Sequence, residues 1–224
     1  ASRRTAYPLG GDLPSIYWES YDPFVALAQA AAVTDTLKIG TGICIVPEHH
    51  PIELAKRIGS LDALSRGRFI FGIGAGWNAE ELENHGVAFG DRWAVTREWI
   101  LAMKECWTKK DAEFHGKFTS FDAVWVEPKP VQKPHPPILV GGHSAPALRR
   151  AARYGSGWYG FAIGPEETAA ILKRLDLEPR ELMRTQEEAY ASAGLDDPKL
   201  TRGQLIALMV ENPSVIERPI VVNG

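Results

Sequence analysis

Three short stretches carry residues whose types and spacing suit chemistry. In "FGIGAGWNAEE", residues 71–81, Gly72, Gly74 and Gly76 alternate along the end of an apolar run and precede an acidic helix start. Glycines at such a place let a cofactor approach the backbone, and a helix N-terminus can face an anion. A tight strand–helix turn asks for the same residues. The spacing is not a full G-x-G-x-x-G fingerprint. Asn78 is placed either to cap the helix or to hydrogen-bond a ring. In "ILVGGHSAPALRRAARYG", residues 138–155, Gly141 and Gly142 follow a strand-like run and Ser144 begins a helix. Backbone N–H groups at such a turn form an anion site. Gly141, Gly142 and Ser144 would then cradle a phosphate or hold a ring edge. The other reading is an ordinary turn capped by Ser144. In "CIVPEHHP", Glu48, His49 and His50 are adjacent. A metal centre needs further ligands converging from elsewhere, and sequence neighbours seldom aim at one ion. A loop or polar pocket wall is the reading, and no metal site is assigned. His85, His115, His135 and His143 are scattered, and no nucleophile elbow, zincin or P-loop pattern occurs.

The elements that must position these residues can be read from periodicity and punctuation. "DPFVALAQAAAVT" is a helix with Asp22 as N-cap and Pro23 at its first position. "TLKIGTGICIV" is a buried strand broken by Gly40 and Gly42. "HPIELAKRIGSLDALS" is an amphipathic helix with Ile52, Leu54, Ala55, Ile58, Leu61 and Leu64 on one side. "RFIFGIGAG" is a strand, "NAEELENHG" a short helix, and "DRWAVTREWILAMKECWT" a long helix capped by Asp91. Residues 112–137 form a Pro-studded excursion with a short hairpin. "ILVGG" and "GWYGFAI" are strands, and "SAPALRRAARYG" and "PEETAAILKRL" helices. Short buried strands alternating with helices predict a parallel α/β sheet or barrel. After about Leu175 the alternation gives way to helix in two or three pieces, with Thr201 and Gln204 in capping-box positions and a last apolar strand at Ile220–Val222. The expected division is therefore 1–175 and 176–224.

Composition narrows the classes of function. The 224 residues are 45% hydrophobic and 24% charged with net charge −3, ordinary for a soluble globular protein. Arg3-Arg4 and Lys109-Lys110 are too short for a nucleic-acid stripe. No apolar run approaches the ~18 residues of a membrane span, and the first residues do not read as a signal peptide. Cys44 and Cys106 are far apart and fit buried thiols in a reducing compartment. A cytoplasmic protein that binds neither nucleic acid nor membrane is expected.

Taken together, residues 1–172 resemble the luciferase-like monooxygenase superfamily in its flavin- or deazaflavin-dependent branch. The resemblance is carried by the stretch from "DPFVALAQAAAVTDTLKIGTGICIVPEHHP" to "NAEELENHG" and by "PKPVQKPHPPILVGGHSAPALRRAARYGSGW". It implies a (β/α)₈ barrel with the flavin at the C-terminal ends of the strands. It implies that Gly42 and Ile43 form a strand-end bulge under the flavin ring, often with a non-proline cis peptide. It places Asn78 at the ring edge and Gly141 and Gly142 against the cofactor tail. FMN or the deazaflavin coenzyme F420 would be the cofactor. Only four barrel-type strands are read, ending near Ile43, Gly74, Gly141 and Ala162, whereas a closed barrel has eight.

The tail, 176–224, resembles the middle of a glutaredoxin-linked arsenate reductase, a thioredoxin-like protein. By that resemblance Arg184 and Arg218 correspond to oxyanion-binding arginines and Pro219 to a cis-proline. The reactive cysteine is missing, so arsenate chemistry is not expected. The combined expectation is a partial barrel or open parallel sheet with a helical C-terminal segment and one added strand, resembling a chimera. Its unpaired strand edges imply a homo-oligomer. The functional expectation is a flavin- or deazaflavin-dependent oxidoreductase framework with weakened cofactor binding and catalysis. The alternative is a non-enzymatic chimeric or designed scaffold with no specific ligand.

Overall fold

The computed structural model describes residues 4–142, 144–160, 164–183, 185–186 and 188–212. They divide between Leu139 and Val140 into two compact units. Arg184, Arg218, Pro219 and the strand at 220–222 lie outside the described residues, as does the end of the strand expected to reach Ala162.

The first unit opens with a stretch that reads as loop and contains one helical turn, α1 (Ile16–Glu19). Helix α2 (Pro23–Ala32) begins as its sequence requires. The Asp22 carboxylate accepts the Val25 N–H at 2.9 Å, and Pro23 occupies a position where no N–H is needed. Its far end is closed by Arg68, whose guanidinium donates to the carbonyls of Ala31 (2.9 Å), Thr34 (2.9 Å) and Leu37 (2.7 Å). The Ala31 carbonyl, in the last turn, has no partner further along the helix, and Thr34 and Leu37 belong to the segment that follows it. Strands β1 (Ile39–Gly40) and β2 (Cys44–Ile45) follow, then a 3₁₀ turn at Val46–Glu48.

Helix α3 (Pro51–Leu64) buries Leu54, Ala55, Ile58, Leu61 and Asp62. Leu64, expected on the same face, is 71% exposed. It lies two residues past buried Asp62, about 200° round the helix, and lines an open groove of about 680 Å³ between α2 and α3. Strand β3 (Phe69–Gly74) is buried almost throughout, as an apolar run covered on both faces should be. Helices α4 (Ala79–Asn84) and α5 (Arg92–Thr108) come next. Asp91 stands at the start of α5, but its side chain makes no capping bond. Helix α5 packs on α3, where the Trp107 indole donates to the Ala55 carbonyl at 3.0 Å.

The hairpin β4 (Ala112–His115) and β5 (Ser120–Val124) is antiparallel. Its turn is held by one carboxylate from α5. Glu98 accepts the N–H groups of Lys117 (3.0 Å), Phe118 (2.5 Å) and Thr119 (2.8 Å). The Pro-rich return is tied to α3 by buried Asp62, which accepts the Gln132 backbone N–H (3.0 Å) and side-chain amide (2.7 Å). Strand β6 (Ile138–Gly141) begins in this unit. Within it, β3 is flanked on one side by β1 and β2, both parallel to it, and on the other by β6.

The second unit contains the end of β6, helix α6 (Ala145–Tyr154), strand β7 (Gly157–Tyr159), which neighbours β6, and helix α7 (Pro165–Leu175). A 3₁₀ turn at Pro179–Leu182 and helices α8 (Glu188–Ser192) and α9 (Arg202–Glu211) complete it. Thr201 and Gln204 form the expected capping box on α9. Leu172, Met183, Tyr190, Leu195, Leu205, Ile206 and Met209 make one buried cluster. That core joins α7 to the helices after Leu175, across the point where the sequence changes style.

Candidate functional site

The C-terminal ends of parallel strands are where α/β proteins place ligands. In the first unit these ends are shaped by a misfit in strand register. β1 pairs with β3 at an offset of 30 residues (Ile39 with Phe69), and β2 at an offset of 29 (Cys44 with Ile73). One extra residue is therefore accommodated between them, at Thr41–Ile43, as a bulge. The Gly42–Ile43 peptide within it is cis.

The bulge leans on β3. Thr41 donates its hydroxyl to the Gly72 carbonyl at 2.7 Å. A Cβ on Gly72 would overlap the Thr41 carbonyl oxygen, and one on Gly74 would overlap the Ile43 Cδ1. Gly72 and Gly74 are thus glycines because the protein's own bulge fills their side-chain space. Ile43 is left as an apolar side chain, 38% exposed, across the end of β3.

Asn78 is 1% exposed and caps α4, its side chain accepting the Glu81 N–H at 3.4 Å. Of its two readings, the structure displays the cap. Glu48, His49 and His50 have different surroundings. The Glu48 carboxyl is half-buried, and one buried oxygen has no hydrogen-bond partner. Burial, reinforced by Glu81, pushes it up to about 7. His49 lies edge-on to Phe24 and 3.5 Å from Arg57. Burial and then Arg57 hold its ring below the usual histidine range. His50 is exposed. Burial pushes the Cys44 thiol up, which disfavours its thiolate. Among the described residues, no cluster of three or more His, Cys, Asp or Glu side chains is arranged to hold a metal ion.

Five residues not singled out in the sequence belong to this region. Tyr7, Tyr17 and Trp77 stack edge-on with ring centroids 5.6–5.9 Å apart. A hydrogen bond with Tyr7, then burial, pushes the Tyr17 hydroxyl up to about 12. Glu80, 9% exposed, accepts from the Thr5 N–H at 3.2 Å and from the Thr5 hydroxyl, and pairs with Arg4 at 3.3 Å. Thr5 holds its carboxyl below the usual range. These partners are some 75 positions apart in sequence, so no local pattern could have revealed them.

In the second unit, Gly142 has φ +113°, a region that favours glycine. Its N–H donates to the Tyr159 carbonyl at 3.1 Å, and its carbonyl accepts the Trp158 indole N–H. Both backbone groups are used within the protein. Gly141 is buried at the end of β6, and Ser144 caps α6 through the Ala147 N–H at 3.4 Å.

The sequence model of the luciferase-like monooxygenases matches residues 10–212. An uncharacterized protein of Mycobacterium tuberculosis is 38% identical over 198 residues, covering 87% of this chain and 66% of that protein. The oxygenase component of a flavin-dependent trigonelline monooxygenase from Acinetobacter baylyi is 35% identical over 197 residues, 82% of this chain and 54% of that one. Among solved structures, monooxygenase RslO1 from Streptomyces bottropensis superposes with TM-score 0.61 at 31% identity, over 68% of this chain and 47% of its own. The oxygenating constituent of 3,6-diketocamphane monooxygenase from Pseudomonas putida, solved with FMN, gives 0.57 at 26%, over 65% and 44%. A coenzyme F420-dependent tetrahydromethanopterin reductase from Methanopyrus kandleri shares the fold, with TM-score 0.58 at 18% identity, over 87% and 74%. The chain spans about half to two thirds of the length of these two curated relatives. It belongs to the luciferase-like monooxygenase family.

Proposed function

We propose that this chain carries the cofactor-facing strand ends of a flavin- or deazaflavin-dependent oxidoreductase of monooxygenase type, with FMN or coenzyme F420 as cofactor. The observation that carries this reading is the Thr41–Ile43 bulge seated on Gly72 and Gly74, which leaves Ile43 as an apolar shelf at the ends of parallel strands. Such a shelf suits the face of a planar ring. The trigonelline oxygenase and the FMN-bound structure, both family relatives by likeness, support a flavin. The reductase structure keeps F420 in view at the level of fold.

When bound, the cofactor supplies the hydride or oxygen chemistry. The residues of this chain supply shape and fixed polarity. Gly42 and Ile43 support the ring. Asn78 stabilises the turn beside it by capping α4. Glu48, raised to about 7, holds a proton near neutral pH in the loop that follows the shelf. In the second unit, taken by itself, Gly141, Gly142 and Ser144 are proposed as a turn that contacts an anionic group. The backbone groups of Gly142 are already bonded within the protein.

Arg184 and Arg218 receive no role. The reading of 176–224 as a separate thioredoxin-like piece has less to support it, since the family match runs on to residue 212 and Leu172 shares a core with Met183 to Met209.

Titration of the chain with FMN and, separately, with F420, followed by absorbance and fluorescence, tests the proposal. Saturable binding in the micromolar range or weaker is expected for this chain alone, because the strands described in the first unit enclose less of a ligand than a closed barrel of eight. Ile43→Asp should weaken it about tenfold, as expected when a charge is buried against an apolar ring. Failure of wild-type protein to bind either cofactor saturably would overturn the proposal.

A further inference from the structure

The N-terminal stretch 4–18 does more than lead into α2. It crosses to the β3–α4 turn and is fastened there at two points. The first is polar. Glu80, in the first turn of α4, takes the backbone N–H and hydroxyl of Thr5 and the guanidinium of Arg4. Thr5 in return accepts the Ala79 N–H at 3.3 Å. The second is aromatic. Tyr7 and Tyr17 close edge-on against Trp77, with interplanar angles of 64° and 89°. An acid in a first helical turn is commonplace and satisfies the helix dipole. Glu80 differs in being buried and in spending its oxygens on a segment about 75 residues away.

We infer that Glu80 is a positioning residue: by latching Arg4 and Thr5 it holds Tyr7 and Tyr17 against Trp77, and so fixes an aromatic wall at the strand end where the cofactor is proposed to sit. The inference rests on that proposed function for its ligand, though not for the latch itself. A planar, electron-poor ring system such as a flavin, or an aromatic substrate presented to it, is the chemistry that the electron-rich faces of tyrosine and tryptophan rings favour. With the latch open, the strap costs conformational entropy to order at each binding event. Affinity should therefore fall although no residue touching the ring has changed.

The test compares wild-type, Glu80→Ala, Glu80→Gln and Thr5→Ala proteins by hydrogen exchange of residues 5–18, near-ultraviolet circular dichroism of the aromatic cluster, and FMN titration. Glu80→Ala is expected to accelerate exchange in 5–18 about tenfold, to diminish the aromatic signal, and to weaken FMN about fivefold. Glu80→Gln, which keeps an acceptor for Thr5, should recover part of each. Thr5→Ala loosens the same latch from the strap side, and decides the matter if Glu80→Ala does not fold. Unchanged exchange and aromatic signal in both alanine variants would overturn the latch. Faster exchange with unchanged FMN affinity would overturn the positioning role. If wild-type protein binds no FMN, the proposed function fails, and exchange still judges the latch.

Discussion

Two turns in this molecule follow the same pattern in sequence, an apolar strand, glycines and then a capped helix, and they use their glycines differently. Along the end of β3, before its turn into α4, Gly72 and Gly74 are small because the bulge of the neighbouring strand lies against them. At the β6–α6 turn, Gly142 is glycine because of its φ of +113°, and both its backbone groups are tied to β7. A glycine after a strand reports close approach or unusual backbone; it does not report what approaches. Here the first turn gives a shaped, partly exposed apolar surface, and the second gives a corner whose glycine backbone is bonded to the neighbouring strand.

That contrast can be broken in four places. The largest effect should come from Gly72→Ala, because a backbone carbonyl, which cannot swing aside, stands where the methyl must go. A loss of about 3 kcal/mol in urea unfolding is expected; a loss within experimental error would mean the bulge is mobile. Gly142→Ala should cost about 1–2 kcal/mol through backbone strain. Its signature is faster amide exchange in α6 and β7, with residues 39–74 unaffected.

Gly74→Ala meets only the tip of a flexible side chain, the Ile43 Cδ1. It should cost about 1 kcal/mol, and Ile43→Val, which lacks that atom, should restore part of the loss. A double-mutant cycle with no coupling would separate Gly74 from Ile43. The smallest effect concerns Glu48. Its folded value of about 7 lies above the ordinary 4.5, so the unfolded chain ionises first and stability falls as pH rises between the two. Glu48→Gln cannot ionise and should match wild type at the acid end of that window. Above pH 7 it should melt higher, by less than about 1 kcal/mol because solvent screens a half-buried group. Parallel melting curves across the window would remove the shift.

Much of the fold was legible because local signals and tertiary structure agree. Asp22 and Pro23 start α2, Thr201 and Gln204 start α9, and the apolar runs at 39–45, 69–74 and 138–141 become strands. The resemblance also located the bulge at Gly42–Ile43. Other features depend on partners far away in sequence. Glu98 looks like any polar residue on α5 until the hairpin turn folds onto it. Arg68 closes α2 from 31–37 residues away. Glu80 and Thr5 are invisible as a pair. Leu64 misled because its spacing of three from Leu61 suggested a wider apolar face than the helix buries. The tail resembled another family through its helices, yet the family match extends through residue 212.

The most direct measurement is amide exchange of the chain with and without saturating FMN. If the bulge and the adjacent turn face the cofactor, residues 41–45 and 75–80 should slow about tenfold while the β4–β5 hairpin at 112–124 stays unchanged. Binding of FMN with no slowing at 41–45, or with protection confined to the hairpin, would contradict the assignment of the strand ends as the cofactor site.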